Sequence, residues 1–371
     1  MFDTNILKNE EKAVFSLRSL YGRYGYKSYK MGKFEEYELY SRNRDFLVSE
    51  NIIVFNDTDG RLLALKPDVT LSIIKNSKDE TGCVQKLYYN ENVYRVSPRT
   101  HTFKEIMQTG LECIGDIDIY NVIEVIGLAA ESLSVIAPEF VLDVSHMGIL
   151  SAIVDSCTSD KELKKQIVAF AAQKNTHDIK ALFAENNIDE EVCGRLCDFI
   201  GIYGEMGSVI EKLDKICRDA KSKEAYEELK FIYSLLKGTA FEKNIHFDFS
   251  IANDMNYYNG IVFQGFIEGI PDSVLSGGQY DMLMHKMGRK SGAIGFAVYL
   301  DVLEQLSCHT AEYDVDTLIL YDDKTDLKEL MKKVNDMTQN GTSVTAQKQI
   351  PSKLRYRHIL NLSGKGRENN D

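Results

Sequence analysis

The sequence lacks a surplus of basic residues, a long apolar run and an ordered set of cysteines. Its 44 Lys and Arg stand against 56 Asp and Glu, for a net charge of -12. Proteins that grip nucleic acid neutralise phosphates with Lys and Arg, so this balance argues against a nucleic-acid partner. No apolar run approaches the roughly 18 residues of a membrane span, and no basic segment followed by an apolar one opens the chain as a secretory signal would. These absences predict a cytoplasmic protein without a membrane partner.

The seven cysteines are scattered, and only Cys193 and Cys197 lie close together, four residues apart in charged sequence. No His or second Cys pair stands at metal-ligand spacing around them, so the sequence predicts no zinc site. Reduced and mostly buried thiols are the expectation. No metal and no cofactor are predicted.

The residues that are present predict an α+β domain. The 371 residues, 44% hydrophobic and 27% charged, are enough for one large globular domain and a smaller one. Apolar residues at helical spacing predict a helix over 10–24, and a turn at 56–60 between two apolar runs predicts a hairpin. Further patterns predict strands at 86–96, 140–145, 246–252 and 257–266, and a helix at 123–136. Adjacent strands joined by short turns are typical of an antiparallel sheet with helices packed on it.

Two further regions differ from this domain. Residues 158–238 are rich in Lys and Glu and lack strand alternation, which predicts a helical insertion between two halves of the sheet domain. Near the end of the chain, a strand at 317–321, a helix at 326–339 and a strand at 342–347 predict a βαβ-like unit. We therefore expect one domain over 1–310 and a small α/β domain over 311–371.

Six segments, in this order along the chain, resemble histidyl-tRNA synthetases and, more closely, the histidyl-tRNA-synthetase-like regulatory subunits of ATP phosphoribosyltransferase. They are YGYKSYKMGKFEEYELY (24–40), LKPDVT (65–70), YYNENVYRVSPRTHTFKEIMQTGLECIG (88–115), LDVSHMGIL (142–150), NDMNYYNGIVFQ (253–264) and LSGGQYDMLMHKMGRKSGAIGFAVYLDVL (275–303). The resemblance covers about residues 10–305. It implies a class II aminoacyl-tRNA synthetase-like antiparallel sheet with flanking helices, and a truncated anticodon-binding-like domain at the C-terminal end.

The resemblance also implies a histidine-binding site. A free histidine presents an ammonium, a carboxylate and a mostly neutral imidazole, so its pocket needs an acidic group, a cation and hydrogen-bonding side chains. The positions that match the family's pocket are Asp68 and Thr70 for the ammonium, Arg95 for the carboxylate, Gln108, Glu112 and Tyr258 for the amine and imidazole, and Tyr257 beside them. Taken singly, each of these residues is more typical of a surface or a sheet core, and only the joint pattern favours a ligand site. His146 is either a further ligand contact or, as we favour, a structural residue held under a turn.

The residues that handle ATP in authentic synthetases are missing. Adenylate formation needs positive groups around the α-phosphate. The family's Arg before the Gly-Leu-Asp-Tyr-Tyr run is Asn253 here, and the Arg of Gly-Leu-Glu-Arg-Leu is Val302. The Glu of the second motif's Arg-x-Glu, two residues after Arg95, is Ser97, and a further Arg is Lys104. We therefore expect no catalytic residues.

These features predict a non-catalytic regulatory subunit that binds histidine as an allosteric effector. The resemblance implies that it is required for the activity and feedback inhibition of the short-form catalytic subunit of ATP phosphoribosyltransferase in histidine biosynthesis, as a homodimer within a hetero-oligomer. Gly32, where the family has a Pro at the dimer interface, weakens the case for identical dimer packing. Two alternatives remain: a divergent histidyl-tRNA synthetase or other adenylate-forming enzyme, and a stand-alone histidine sensor.

Overall fold

A nine-stranded sheet lies at the centre of the larger of two units into which the chain divides, residues 1–306 and residues 307–371. The computed structural model describes residues 7–47, 51–80, 82–97, 100–251, 257–305 and 312–363. In chain order, the strands of the first unit are β1 (Lys27–Ser28), β2 (Phe34–Glu36), β3 (Val54–Asn56), β4 (Leu62–Leu65), β5 (Val84–Val96), β6 (Phe103–Gly115), β7 (Phe140–His146), β8 (Tyr203–Glu205), β9 (Ile245–Asp248), β10 (Ile261–Ile267), β11 (Leu275–Gln279) and β12 (Gly292–Tyr299).

The large sheet has the strand order β1-β5-β6-β12-β11-β10-β7-β9-β8, while β2, β4 and β3 form a separate antiparallel sheet. In the large sheet, neighbouring strands are antiparallel except for two parallel pairs, β1 with β5 and β7 with β9. The predicted α+β class with a largely antiparallel sheet is therefore confirmed. The predicted hairpin is also present, as β3 paired with β4.

Helices surround this sheet. They are α1 (Asn9–Arg23), α2 (Tyr37–Arg42), α3 (Thr70–Asn76), α4 (Ile119–Ile136), α5 (Met147–Cys157), α6 (Lys161–Ala172), α7 (Thr176–Glu185), α8 (Glu190–Ile200), α9 (Met206–Ile216), α10 (Ala220–Leu236) and α11 (Asp281–Lys286), with short 3-10 helices at Arg44–Phe46, Glu242–Asn244 and Asp301–Gln305. Asp118 is the N-cap of α4: its side chain accepts the backbone N–H of Asn121, and the Asn121 side chain accepts the N–H of Asp118 in return. This reciprocal cap satisfies two N–H groups that have no partner within the helix. α4 then packs against α1 and the sheet.

α4 is also long and apolar enough, by length and composition, to cross a membrane. The sequence pattern had indicated no such run. More than half of this 18-residue helix is buried inside the unit, including Val125, Ile126 and Leu133. An apolar helix that is buried in this way is typical of a protein core.

The two faces of the sheet have different roles because side chains alternate along a strand. On β6, Leu111 and Cys113 join the main hydrophobic core, whereas Gln108, Gly110 and Glu112 lie on the opposite face. Gly110 must lack a side chain, since a Cβ there would lie 2.3 Å from the carbonyl oxygen of Phe296. This second face carries the polar residues of the candidate site.

Residues 158–238 contain α6 to α10 and one short strand, β8, which pairs with β9 at the sheet edge. β8 was not predicted, because three residues are too few to show strand alternation. Apart from β8, the regular structure in this region is helical.

The second unit is described by itself. It contains β13 (Val315–Leu320), α12 (Leu327–Gln339), β14 (Val344–Gln347) and β15 (Tyr356–Asn361). The strands are parallel, in the order β14-β13-β15. The predicted βαβ unit is present. The third strand was missed because its sequence, YRHILN, mixes polar and apolar residues without alternation.

Candidate functional site

A cavity of about 370 Å³ lies in the first unit. Its lining includes every one of the residues that the sequence singled out for histidine, namely Asp68, Thr70, Arg95, Gln108, Glu112, Tyr257 and Tyr258. They come from four separate parts of the chain: the start of α3, strands β5 and β6, and the segment before β10. The fold therefore brings together residues that lie up to 190 positions apart in the sequence.

Glu112 is the most deeply buried carboxyl group of the cavity, with 2% of its surface exposed. The Thr70 hydroxyl donates to its Oε1 at 2.8 Å, and the Tyr280 hydroxyl donates to its Oε2. Burial raises the pKa of Glu112 to about 8, against the opposing effect of the two hydroxyl bonds and with a further increase from the charge of Asp68. A Cβ at Gly295 would lie 1.9 Å from Glu112 Oε2, so glycine is required beside it.

Asp68 and Arg95 form the second part of the site. One oxygen of Asp68 accepts the backbone N–H of Leu71 at 2.9 Å, and the other lies 3.7 Å from a terminal nitrogen of Arg95. Arg95 Nε donates to the carbonyl oxygen of Pro67 at 2.6 Å, which fixes the guanidinium. Burial raises the pKa of Asp68, and the Arg95 charge and the Leu71 N–H oppose that effect. A guanidinium anchored through one nitrogen retains donors for a ligand carboxylate.

Gln108 contributes a buried donor to the lining. Only 2% of its surface is exposed, and its Nε2 has no hydrogen-bond partner among the residues that the structure describes. Buried polar groups in proteins are nearly always hydrogen-bonded, to protein, water or a ligand. The free amide in the cavity wall therefore indicates a place for a polar ligand.

Tyr257 and Tyr258 complete the predicted set. Their ring centroids are 4.6 Å apart with the planes inclined at 61°, and Tyr257 lies 5.9 Å from Tyr280. The strand predicted over 257–266 was wrong at its start, because β10 begins at Ile261. The two tyrosines precede the strand, and both line the cavity, whereas consecutive residues of a strand would point to opposite faces of the sheet.

Several lining residues were missed from the sequence. Tyr280 bonds Glu112 directly, and Gln264, Ser273 and Ser276 add neutral polar groups. A signal for Tyr280 existed, since it lies within the matched segment 275–303, directly after two glycines and Gln279. Gln264 and Ser276 also lie within matched segments and Ser273 does not, but no local pattern distinguishes these three from ordinary strand or loop residues.

His146 lies outside this lining. It forms the N-cap of α5, where its Nδ1 accepts the backbone N–H of Gly148 at 3.0 Å. Its Nε2 lies 3.2 Å from a carboxylate oxygen of Glu228 on α10. Both ring nitrogens of His146 therefore have hydrogen-bond partners within the protein, at the start of α5.

The positions that replace the synthetase's ATP contacts have structural surroundings of their own. Val302 is half-buried and packs against the main core. Ser97 shapes the connection between β5 and β6, where its N–H donates to Thr102 at 2.8 Å and its carbonyl accepts from His101 at 2.9 Å. Lys104 is exposed. Asn253 lies outside the described residues.

The family model for histidyl-tRNA synthetase matches residues 5–303. The sheet, the helices around it and the cavity all fall within this range. The fold is thus that of a histidyl-tRNA-synthetase-like protein.

Proteins with similar sequences show to which branch of this family the chain belongs. The chain is 30% identical to the ATP phosphoribosyltransferase regulatory subunit of Oceanobacillus iheyensis over 271 residues, which are 72% of this chain and 66% of that relative. It is 32% identical to the regulatory subunit of Caldanaerobacter subterraneus over 268 residues, 71% of this chain and 70% of the relative. With the Clostridium kluyveri subunit it aligns over 358 residues at 25% identity, 93% of this chain and 91% of the relative. The chain therefore belongs to the histidyl-tRNA-synthetase-like family of ATP phosphoribosyltransferase regulatory subunits.

Solved structures show the same fold. A protein from Bacillus halodurans, described as an ATP phosphoribosyltransferase regulatory subunit/histidyl-tRNA synthetase, has a TM-score of 0.75 at 22% identity, covering 98% of this chain and 97% of that one. A chain of the ATP phosphoribosyl transferase complex from Thermotoga maritima has a TM-score of 0.62 at 20% identity, covering 79% and 98%. At these identities the likeness shows the fold alone.

Proposed function

We propose that this protein is a non-catalytic, cytoplasmic regulatory subunit that binds histidine. It joins the short-form catalytic subunit of ATP phosphoribosyltransferase, is required for that subunit's activity, and transmits feedback inhibition by histidine. The observation that carries the proposal is the convergence of the seven predicted side chains on one cavity.

The chemistry of the lining suits a free histidine. The carboxyl group of Asp68 and the Thr70 hydroxyl offer acceptors for the ammonium, and Arg95 offers a cation for the carboxylate. Glu112 and Tyr258 remain for the imidazole. Each charge-assisted hydrogen bond contributes roughly 1.5–3 kcal/mol. Several such bonds, less the cost of association, give an affinity in the micromolar range, about -8 kcal/mol.

The same lining does not suit a triphosphate. Among the cavity residues that the structure describes, Arg95 is the only cation, and one of its terminal nitrogens lies 3.7 Å from the carboxyl group of Asp68. Losing a single oxyanion-type donor lowers an enzymatic rate on the order of 10²–10³-fold. The absence of Arg at positions 253 and 302 therefore supports a protein that does not form an adenylate. If the enzyme alternative were correct, histidine would stimulate exchange between ATP and pyrophosphate, and we expect no such exchange.

The partner is inferred from the relatives' names and from the Thermotoga complex. We propose a homodimer within a hetero-oligomer. Feedback inhibition then requires that histidine bind two states of the assembly with different affinity, and such coupling is typically 1–3 kcal/mol.

Reconstitution tests this proposal. The short-form catalytic subunit is assayed alone, with the wild-type chain, and with the Arg95→Ala variant, over a range of histidine concentrations. We expect the chain to raise the rate, histidine to lower it again, and Arg95→Ala to stimulate normally but need at least fivefold more histidine. Arg42→Ala, which removes an Arg exposed on α2, serves as the control and should behave as wild type. Histidine binding without any stimulation would favour the stand-alone sensor and contradict the proposed partner.

A further inference from the structure

Residues 146–148 lie between the cavity and the helical insertion. Met147 lines the cavity, and its backbone N–H donates to the carbonyl oxygen of Gly260 at 2.9 Å. Gly260 follows Tyr258 by two residues, and Ile261 pairs with His146 in the sheet. The start of α5 is thus tied directly to the segment that carries the cavity tyrosines.

The neighbouring side chain, His146, lies on the side of Met147 away from the histidine cavity and contacts α10. Its Nδ1 accepts the Gly148 N–H and so carries no proton. Its Nε2 therefore donates to Glu228 on α10 at 3.2 Å. His146 is 4% exposed, and its bond lowers the pKa of Glu228. A buried histidine with both ring nitrogens engaged has one orientation.

The contact between the start of α5 and α10 is close. A Cβ at Gly148 would lie 2.9 Å from His146 Cε1 and 3.3 Å from the Ala225 Cβ on α10. At Gly148 itself there is therefore no room for a side chain between the start of α5 and α10, and close packing at such a point transmits small displacements.

A second cavity, of about 320 Å³, lies on the α10 side of the same residues. Met147 and Tyr258 line both this cavity and the proposed histidine cavity. The second one is also lined by Glu224 and Glu228 of α10. A wall formed by Met147 and Tyr258 thus separates the ligand site from the face of the insertion.

We propose that the His146–Gly148 segment couples occupancy of the histidine cavity to the position of α10. The inference rests on the proposed histidine binding and specifies how that binding is transmitted. Histidine that contacts Tyr258 restricts the position of that side chain, and Tyr258 in turn restricts Met147, the other residue of the wall. His146 is the positioning residue that passes this restraint to α10 through Glu228.

Hydrogen exchange on the full chain, with and without saturating histidine, tests the coupling. We expect histidine to slow exchange of the α10 amides at least about fivefold, the lower end of typical coupling between sites. In Glu228→Ala the slowing should fall below about twofold, while calorimetry should give a histidine Kd within about threefold of wild type. Glu224→Ala, one turn earlier on α10 and facing the same second cavity, should retain the full effect.

Gly148→Ala provides a second variant, because its Cβ displaces His146 without removing any charge. It should also uncouple α10 from histidine, with folding checked by thermal melting. If histidine binds but leaves α10 exchange unchanged, or if Glu228→Ala keeps the full slowing, the coupling is overturned and the proposed function stands. Failure of histidine to bind at all would overturn both.

Discussion

The buried carboxyl group of Glu112 predicts an unusual dependence of stability on pH. Its pKa rises from 4.5 to about 8 on folding, chiefly because burial disfavours the charged form. A group with a raised folded-state pKa binds its proton more tightly in the folded chain, so the fold loses stability as the pH rises from about 4.5 to about 8. The full shift in the pKa of Glu112 corresponds to a loss of roughly 5 kcal/mol in the free energy of unfolding.

Glu112→Gln removes this titration while keeping the shape of the side chain. Between about pH 6 and about pH 9 the wild type should lose about 3 kcal/mol of stability that the variant does not lose. Urea unfolding of both proteins at each pH measures the difference in unfolding free energy. Glu38→Gln, on the exposed face of α2, is the control and should follow the wild type. Equal losses in Glu112→Gln and wild type would refute the assignment of a neutral buried Glu112.

Three further substitutions test the site and its support. Arg95→Ala should weaken histidine binding by about 1–3 kcal/mol in calorimetry, because it removes the only described cation of the cavity; an unchanged Kd would place the ligand carboxylate elsewhere. Gly295→Ala should abolish histidine binding and lower the unfolding free energy by about 1–3 kcal/mol, since the new Cβ occupies the position of Glu112 Oε2. Lys66→Met should lower the unfolding free energy by about 1–3 kcal/mol, because the half-buried carboxylate of Glu91 loses its charged partner, and Lys66→Met with Glu91→Gln should recover most of the loss.

The cavity residues could be predicted from the sequence because they lie in segments that resemble the family. The strand β6 itself was not predicted, although Leu111 and Cys113 enter the core on either side of Glu112 as alternation along a strand requires. Local pattern failed at Tyr257 and Tyr258, whose residue types favour a strand. The partner strand β7 ends at His146, opposite Ile261, so the tyrosines have no strand to pair with on that side.

Other features depend on contacts between distant parts of the chain. Lys66 looks like an ordinary surface lysine at the end of a strand, yet only 1% of its surface is exposed, and it pairs with Glu91 on β5. The bond between His146 and Glu228 joins residues 82 positions apart. Neither contact leaves a periodic signal, because each forms only when distant elements pack together: the end of β4 against β5 for Lys66, and the start of α5 against α10 for His146.

Calorimetric titration of histidine into the purified chain, with ATP as the comparison ligand, measures whether the cavity binds the amino acid without serving ATP chemistry. We expect saturable histidine binding in the micromolar range, weakened by Arg95→Ala, and no turnover of ATP in the presence of histidine. Absence of heat from histidine while the chain remains folded, or release of pyrophosphate from ATP on adding histidine, would contradict this expectation.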